Sequence, residues 1–218
     1  MTLARMAAAE ATGTALLLAI VVGSGIMGER LAQGNAAVAL LANSIATGAG
    51  LYALILMLAP ISGAHFNPVV SAISALQGML RKRDCVIYVL AQLGGAFVGV
   101  LIAHAMFGLP LVEVSGHVRP TVGEGIGEVV ATFGLMMVIL LTTKYRPDST
   151  AFAVAAFITS AYWFTSSTSF ANPAVTLARA MTNTFAGISP DSIPLFLGGQ
   201  VLGALSAIAA ARWLMARP

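Results

Sequence analysis

Two short polar segments, each containing Asn-Pro, interrupt an otherwise apolar chain. The first contains Asn67-Pro68-Val69 and the second Asn172-Pro173-Ala174, and the two asparagines are 105 residues apart. Asparagine caps helix N-termini well, and proline is favoured in the first turn, where its missing N–H would have no partner. Each segment therefore predicts the start of a helix, with asparagine as the N-cap and proline as the first helical residue.

The composition places both segments in a membrane. Of the 218 residues, 58% are hydrophobic and only 9% are charged, and the mean hydropathy is +0.91. Soluble proteins carry about 25% charged residues, and a bilayer span needs about 20 mostly apolar residues. The sequence therefore predicts an all-α integral membrane protein with six transmembrane helices and two shorter helices. Membrane lipid is the expected surrounding, and the net charge of +3 gives no reason to expect a nucleic-acid partner.

The apolar runs give the expected bounds of these elements. Pro60 and Gly63 are expected to end the second span, and the Gly- and Pro-containing segment 108–123 is expected to be a solvent loop. The six spans are predicted at residues 8–27, 36–59, 86–107, 125–142, 151–164 and 195–215, and the two short helices at 67–80 and 172–184.

The basic residues indicate the orientation of the chain. Eight of the eleven lysines and arginines fall on one side if six helices cross the membrane and both short helices re-enter it. Because basic residues concentrate in cytoplasmic loops, this side is predicted to be cytoplasmic, together with both termini. The eight residues are Arg5, Arg81, Lys82, Arg83, Lys144, Arg146, Arg212 and Arg217.

The two halves of the chain also resemble each other outside the Asn-Pro segments. Glu10 matches Glu128 at an offset of 118 residues, and Gln92 matches Gln200 at an offset of 108. Each half has three spans and one short helix. Since three is an odd number, the second half enters the bilayer from the opposite face, as an inverted repeat whose special site lies near the midplane.

We therefore expect one membrane domain, residues 1–218, with a first repeat at about 1–107 and a second at about 122–218. The turns before Asn67 and Asn172 should line a watery cavity, because irregular backbone survives in a membrane only where protein buries it or water reaches it. Two helix N-termini aimed at this cavity each carry roughly half a positive charge, which disfavours cations. Oriented amide donors also interrupt a proton-relaying water chain, so the predicted site favours neutral, hydrogen-bonding permeants.

These features resemble the aquaporins, or major intrinsic proteins, along essentially the whole chain. The resemblance rests on twin Asn-Pro-Ala signatures in two compatible halves, with Val69 as a mild departure from alanine. It implies an aquaporin-like fold with two re-entrant half-helices, a homotetramer with one pore per subunit, and no cofactor. We expect a multi-pass protein of the inner (plasma) membrane.

In this family the narrowest ring of the pore is set by four positions counted from the asparagines, which are here Thr47, Ser160, Ser169 and Val175. Water-selective relatives have an aromatic residue, a histidine and an arginine in this ring, and glycerol-type relatives keep the arginine. Because Val175 replaces the arginine, the resemblance implies a wide, uncharged filter lined by hydroxyls. Arg179, one helical turn later, is expected to be bound at the loop rather than to reach the ring.

A ring of threonine, serine and valine resembles that of bacterial aquaglyceroporins associated with arsenic resistance. The expected function is passive passage of small neutral solutes, namely arsenous acid, glycerol-like polyols and water. A water-selective aquaporin is the alternative. Two further hypotheses are a structural tetramer with a closed pore and a proton-coupled secondary transporter that uses Glu10 and Glu128.

The two glutamates also have a structural explanation, because in the aquaporin family the residues matching Glu10 and Glu128 accept hydrogen bonds from the re-entrant loops. His65 is likewise expected to support the first loop. No nucleophile, base and orienting acid occur together in the sequence, and no histidine has carboxylate or cysteine neighbours at metal-ligand spacing. The sequence therefore predicts neither an enzyme nor a metal site.

Overall fold

The computed structural model describes residues 1–119 and 121–216, so Pro120 of the predicted loop and Arg217 of the predicted cytoplasmic cluster lie outside the described residues. Its secondary structure is helical, with eight α-helices and three short 3-10 helices in the described residues. The α-helices are α1 Leu3–Leu31, α2 Ala36–Ser62, α3 Pro68–Leu76, α4 Lys82–Phe107, α5 Val122–Tyr145, α6 Thr150–Phe164, α7 Pro173–Ala178 and α8 Ile193–Met215. The 3-10 helices are Pro147–Ser149, Arg179–Met181 and Pro190–Ser192.

The predicted order of spans and half-helices is confirmed, and most helices start or end several residues beyond their apolar runs. The N-termini have local causes. The side chain of Thr2 accepts a hydrogen bond from the backbone N–H of Arg5 in the first turn of α1, and Thr121 and Glu124 form a reciprocal capping box at the start of α5. Polar capping residues thus extend the helices past the segments that hydropathy alone identifies.

The prediction that Pro60 ends the second span is wrong. Proline removes one backbone donor, yet α2 continues through it for two residues and ends where Gly63 adopts a left-handed φ of 89°. The two half-helices are shorter than predicted, because α3 ends at Leu76 and α7 tightens into a 3-10 turn at Arg179.

Five of the described helices are long and apolar enough to cross a membrane. The predicted fifth span, α6, has only 15 residues and falls short of that length. The 3-10 turn Pro147–Ser149 leads directly into it. At about 1.5 Å per α-helical and about 2.0 Å per 3-10 residue, the combined segment is roughly 28 Å long, close to a hydrocarbon thickness of about 30 Å.

The two halves pack in corresponding ways. In the first half α4 crosses α1 at Gly99, where an added Cβ would overlap the carbonyl oxygen of Ala15. In the second half α8 crosses α5 at Gly203, where it would overlap the carbonyl oxygen of Val129. Small residues let helix backbones approach closely in a membrane. Both half-helices are thereby enclosed by tightly packed long helices.

The segment after α4, which was predicted to be a solvent loop, is partly built into the fold. The backbone N–H of Glu113 donates to the carbonyl of Met181 at 3.0 Å, and that of Ser115 donates to the carbonyl of Ala180 at the same distance. Ser115 is buried. The segment therefore lies against the end of the second half-helix rather than projecting freely into solvent.

Candidate pore site

The loops before α3 and α7 share one backbone shape. Ala64 and Phe66 have φ angles of 51° and 49°, and Ser169 and Ala171, each 105 residues later, have φ angles of 51° and 47°. Left-handed backbone at a non-glycine residue costs about 1–3 kcal/mol and persists only where its surroundings over-determine it. Both loops therefore need strong contacts to hold them.

Glu10 of α1 supplies such contacts to the first loop. Its fully buried carboxylate accepts hydrogen bonds from the backbone N–H groups of His65 at 3.0 Å and Phe66 at 2.7 Å. It also accepts from the hydroxyl of Ser62 at 2.6 Å and from Nε2 of Gln92 at 2.8 Å. Four donors on two oxygens satisfy a charge that would otherwise be very costly to bury.

Glu128 of α5 does the same for the second loop. Its carboxylate accepts from the backbone N–H groups of Phe170 and Ala171, both at 2.8 Å, and from Nε2 of Gln200 at 2.6 Å. The pairs Glu10–Gln92 and Glu128–Gln200 thus occupy matching places in the two halves. This is the arrangement that the family resemblance implied for the two glutamates.

Asn67 and Asn172 cap the two half-helices, as predicted. Oδ1 of Asn67 accepts from the backbone N–H of Val69 at 3.0 Å, and Oδ1 of Asn172 accepts from that of Ala174 at 3.0 Å. Pro68 and Pro173 begin the helices.

The same two asparagines also join the halves, which the sequence did not indicate. Nδ2 of Asn67 donates to the carbonyl of Ala171, and Nδ2 of Asn172 donates to the carbonyl of Phe66, both at 2.8 Å. Each amide nitrogen carries two hydrogens, so one donor per asparagine is used between the loops and one is left over. Both asparagines line the central cavity, into which this second donor can act.

His65 is tied to the first half-helix. Its Nδ1 lies 3.0 Å from the hydroxyl of Ser71 and its Nε2 lies 3.4 Å from that of Ser74, while its ring packs edge-on to Tyr88. The histidine thus supports the loop, and it also lines the cavity.

A cavity of about 410 Å³ runs past both loops. It extends from Met6 and Thr143, near the start of α1 and the end of α5, to Arg179 beyond the end of α7. Loop residues and the two asparagines contribute polar groups to its lining. Much of the remaining lining is aliphatic and includes Leu17, Val21, Leu51, Ile55, Leu135, Ile139, Val154, Ile158 and Val175.

Three of the four predicted filter residues, Thr47, Ser169 and Val175, line this cavity. The prediction for Ser160 is wrong, because its side chain is exposed on the outside of α6 and its hydroxyl donates to the carbonyl of Phe157. The cavity side of α6 presents Tyr162 instead, and its hydroxyl lies 3.2 Å from that of Thr47. Tyr162 thus adds an aromatic ring near a hydroxyl of the predicted filter.

A sequence signal for Tyr162 exists. Val154, Ile158 and Tyr162 recur every four residues, the spacing of one helix face, and all three line the cavity. The family-based count from Asn172 led to Ser160, which lies two residues away and so faces elsewhere.

Arg179 is bound at the loop, as predicted, since its Nε donates to the carbonyl of Ala186. Its side chain also lines the cavity, which therefore carries a cationic group outside the four predicted filter positions. Among residues 1–119 and 121–216, no group of three or more His, Cys, Asp and Glu side chains is placed to hold a metal ion.

Comparison with known proteins agrees with this architecture. A family profile described as "Major intrinsic protein" matches residues 1–162. The chain belongs to the major intrinsic protein family. This major intrinsic protein is 51% identical to a protein named aquaglyceroporin AqpS of Rhizobium meliloti (strain 1021), covering 99% of the chain and 93% of that relative.

It is also 30% identical to a probable aquaporin, AqpM, of Archaeoglobus fulgidus, covering 98% of the chain and 96% of that protein. Among solved structures, the aquaglyceroporin from Plasmodium falciparum aligns with a TM-score of 0.75 at 20% identity, covering 97% of this chain and 95% of that one. That likeness supports the fold. Family membership makes the chain a multi-pass membrane channel for small neutral solutes, and such channels are not enzymes.

Proposed function

We propose that this protein is a passive channel through which arsenous acid and glycerol-like polyols pass, together with water. The observation that carries the proposal is the place of Val175. Its side chain lines the cavity that the Thr47–Tyr162 hydroxyl pair also lines, at the position that carries an arginine in the family the chain resembles. An isopropyl group there leaves the wall apolar and supplies none of the N–H donors that a guanidinium would have.

The lining of the cavity offers both kinds of contact that an amphipathic solute needs. Asn67 and Asn172 keep one amide hydrogen each for solute oxygens, while Leu51, Ile158 and Val175 add aliphatic surface. Glycerol has hydroxyls along one edge and C–H groups along the other. Neutral arsenous acid has three hydroxyls, in a pattern much like that of a polyol. Such solutes can exchange water contacts for amide contacts without leaving a polar group unpaired.

The relative named as an aquaglyceroporin, at 51% identity, supports the same substrate class. We further propose a homotetramer in the inner membrane with both termini in the cytoplasm. The clusters around Arg81 and Lys144 support that orientation, because both follow elements that end on the side of the N-terminus.

A water-selective channel is the second candidate, and two observations favour it. Tyr162 and Arg179 both line the cavity, so an aromatic ring and a guanidinium belong to the same lining as Val175. A proton-coupled transporter has less support, because the donors on Glu10 and Glu128 come from loop backbone and glutamines and hold both carboxylates in place.

The test is stopped-flow light scattering on proteoliposomes, comparing water, glycerol and arsenous acid in the native protein and in Val175→Arg. We expect fast native flux of all three, with glycerol and arsenous acid reduced at least several-fold more than water by the variant. The matched control is Val118→Arg, which adds the same charge at an exposed valine of the outer segment. Rapid water flux with little solute flux in the native protein would identify a water channel instead. Equal loss of all three solutes in Val175→Arg would contradict the filter assignment.

A further inference from the structure

Arg179 is placed unusually for a charged residue. It follows the six-residue helix α7 and begins a 3-10 turn, Arg179–Met181, so the chain tightens at this point. Its side chain is only 3% exposed, yet it lines the cavity that passes Val175 one turn earlier. A buried arginine is normally matched by a carboxylate. Within residues 1–119 and 121–216, the ion pair found is Arg81–Asp84, and no carboxylate lies within 4.0 Å of Arg179.

The guanidinium is held by two contacts that leave its far end free. Its central carbon lies 3.5 Å from the ring centroid of Phe170, and its Nε donates to the carbonyl of Ala186. Stacking on an aromatic face together with one hydrogen bond fixes the plane of the group. The side chain is therefore preorganised rather than free to swing out of the cavity.

The two terminal nitrogens of Arg179 are the part of the side chain that is available to a ligand. No described residue accepts a hydrogen bond from either nitrogen. Neither nitrogen is one of the fully buried side-chain atoms that lack a hydrogen-bond partner. Arg179 lines the same open cavity as Tyr162 and Val175, so the four N–H donors of these nitrogens are available to water or to a solute oxygen.

A second cation lies nearby. The guanidinium carbon of Arg119 is 5.4 Å from the centroid of the same Phe170 ring, on a side chain that also points toward the carbonyl of Ser167 at 3.4 Å. Two guanidinium groups around one ring raise the positive potential at this end of the cavity, where burial weakens screening.

We propose that Arg179 is the cation barrier and the solute-docking donor of this pore, in place of an arginine at position 175. Its fixed charge repels cations and hydrated protons. Its terminal N–H groups donate hydrogen bonds to the oxygens of a solute that has entered this end of the pore. Val175 then widens the pore one turn further in without opening it to cations. The inference rests on the proposed channel function for the solute-docking role, whereas the cation barrier can be measured without any solute flux.

The test uses full-length protein in proteoliposomes, with proton and K⁺ leak measured by an internal pH dye and by potential-driven flux, and glycerol flux measured in parallel. Arg179→Leu should raise cation leak on the order of tenfold or more, since even a partly screened unit charge at close range is worth that factor. Arg179→Lys should keep the cation barrier, because the positive charge remains. It should lower glycerol flux, because the planar set of guanidinium N–H donors is lost.

The matched control is Arg30→Leu. Arg30 also stacks on a phenylalanine, Phe107, at 5.2 Å and donates to a backbone carbonyl, but it is exposed and does not line the cavity. Its replacement should leave cation leak unchanged. The double variant Val175→Arg/Arg179→Leu should restore the barrier by moving the arginine back one turn, which also shows that loss of Arg179 does not act through misfolding.

The outcomes separate the two proposals. If Arg179→Leu retains native water flux and leaks no more cations than Arg30→Leu, or if Arg179→Lys leaks as much as Arg179→Leu, the inference is overturned. If the native protein passes water but neither glycerol nor arsenous acid, the proposed permeants are wrong, and the cation-barrier role of Arg179 is still decided by the leak of its variants.

Discussion

Replacement of Glu128 by glutamine is a direct test of how the second loop is held. An amide side chain has the shape of the carboxylate but only one acceptor oxygen. If that oxygen takes the place of Oε2, it keeps the bonds from Ala171 N–H and Gln200 Nε2, and the new NH₂ group then faces the backbone N–H of Phe170. One charge-assisted hydrogen bond is lost, the other two weaken, and a buried N–H is left without an acceptor.

The magnitude follows from these contacts. A hydrogen bond to a charged group contributes about 1.5–3 kcal/mol, and a stranded buried donor costs about 1–3 kcal/mol. These two figures overlap in part, so we expect Glu128→Gln to lower the free energy of unfolding by about 2–4 kcal/mol. That range corresponds to a roughly 30- to 1,000-fold change in the unfolding equilibrium constant.

The assay is denaturant unfolding of the detergent-solubilised protein, followed by circular dichroism. The control is Glu124→Gln, one turn earlier on α5, where a half-buried carboxylate forms the capping box with Thr121 and glutamine serves equally well. Its effect should stay below about 0.5 kcal/mol. Equal stability of the two variants would refute the scaffolding role of Glu128. A stable Glu128→Gln protein whose solute flux had lost a dependence on the proton gradient would point to a proton relay instead.

Three further predictions follow from the packing and the cavity. Gly203→Ala should destabilise the protein by about 1–3 kcal/mol in the same unfolding assay, because its Cβ would overlap the helix α5 backbone, whereas Gly94→Ala, with no heavy atom within 4 Å of the added carbon, should be neutral. Asn172→Asp should increase K⁺ leak across liposomes, since a carboxylate replaces an amide at the positive end of α7, and an unchanged leak would mean that this side chain does not meet the permeants. Tyr162→Phe should raise the ratio of glycerol to water flux roughly twofold, because it removes one oxygen from the wall and frees the hydroxyl of Thr47; a fall in that ratio would contradict the placement of the tyrosine hydroxyl in the filter.

Local chemistry explains why much of the fold could be predicted. Apolar runs of about 20 residues have few alternatives to membrane-spanning helices, and an Asn-Pro pair specifies a helix start within a residue. The observed N-caps at Asn67 and Asn172 follow from side chains within a few positions in sequence. The C-terminal ends of the helices were harder to predict. The last turns of α2 accommodate Pro60, and the helix ends only at Gly63, which has a left-handed backbone conformation.

The candidate site was predicted less completely, because side-chain direction depends on rotation about a helix axis. Successive residues are about 100° apart, so the two-residue step from Ser160 to Tyr162 turns the side chain by about 200° and changes which one faces the cavity. A count from Asn172 cannot fix that rotation, since it crosses the irregular loop between α6 and α7. The apolar face of α6, on which Val154, Ile158 and Tyr162 follow one another at intervals of four residues, carries the information that the count lacks.

Arg179 was missed as a cavity residue for a different reason. A sequence shows that an arginine lies one turn after Val175, but not that the turn tightens there or that Phe170 and Ala186 direct its side chain. Those are tertiary contacts between separate parts of the second half. Long, flexible side chains are the ones whose destination local pattern predicts least.

The reciprocal bonds between Asn67, Asn172 and the opposite loops have a consequence for how the channel can move. Each half of the molecule holds the other at its midpoint, through Nδ2 donors that reach the carbonyls of Ala171 and Phe66 at 2.8 Å. A rocking motion that opened one membrane face while closing the other would have to break both bonds in every cycle. We therefore expect the centre to behave as a fixed aperture, with solute flux that rises in proportion to the gradient without saturating at a conformational step, and with any regulation of the flow at the two mouths.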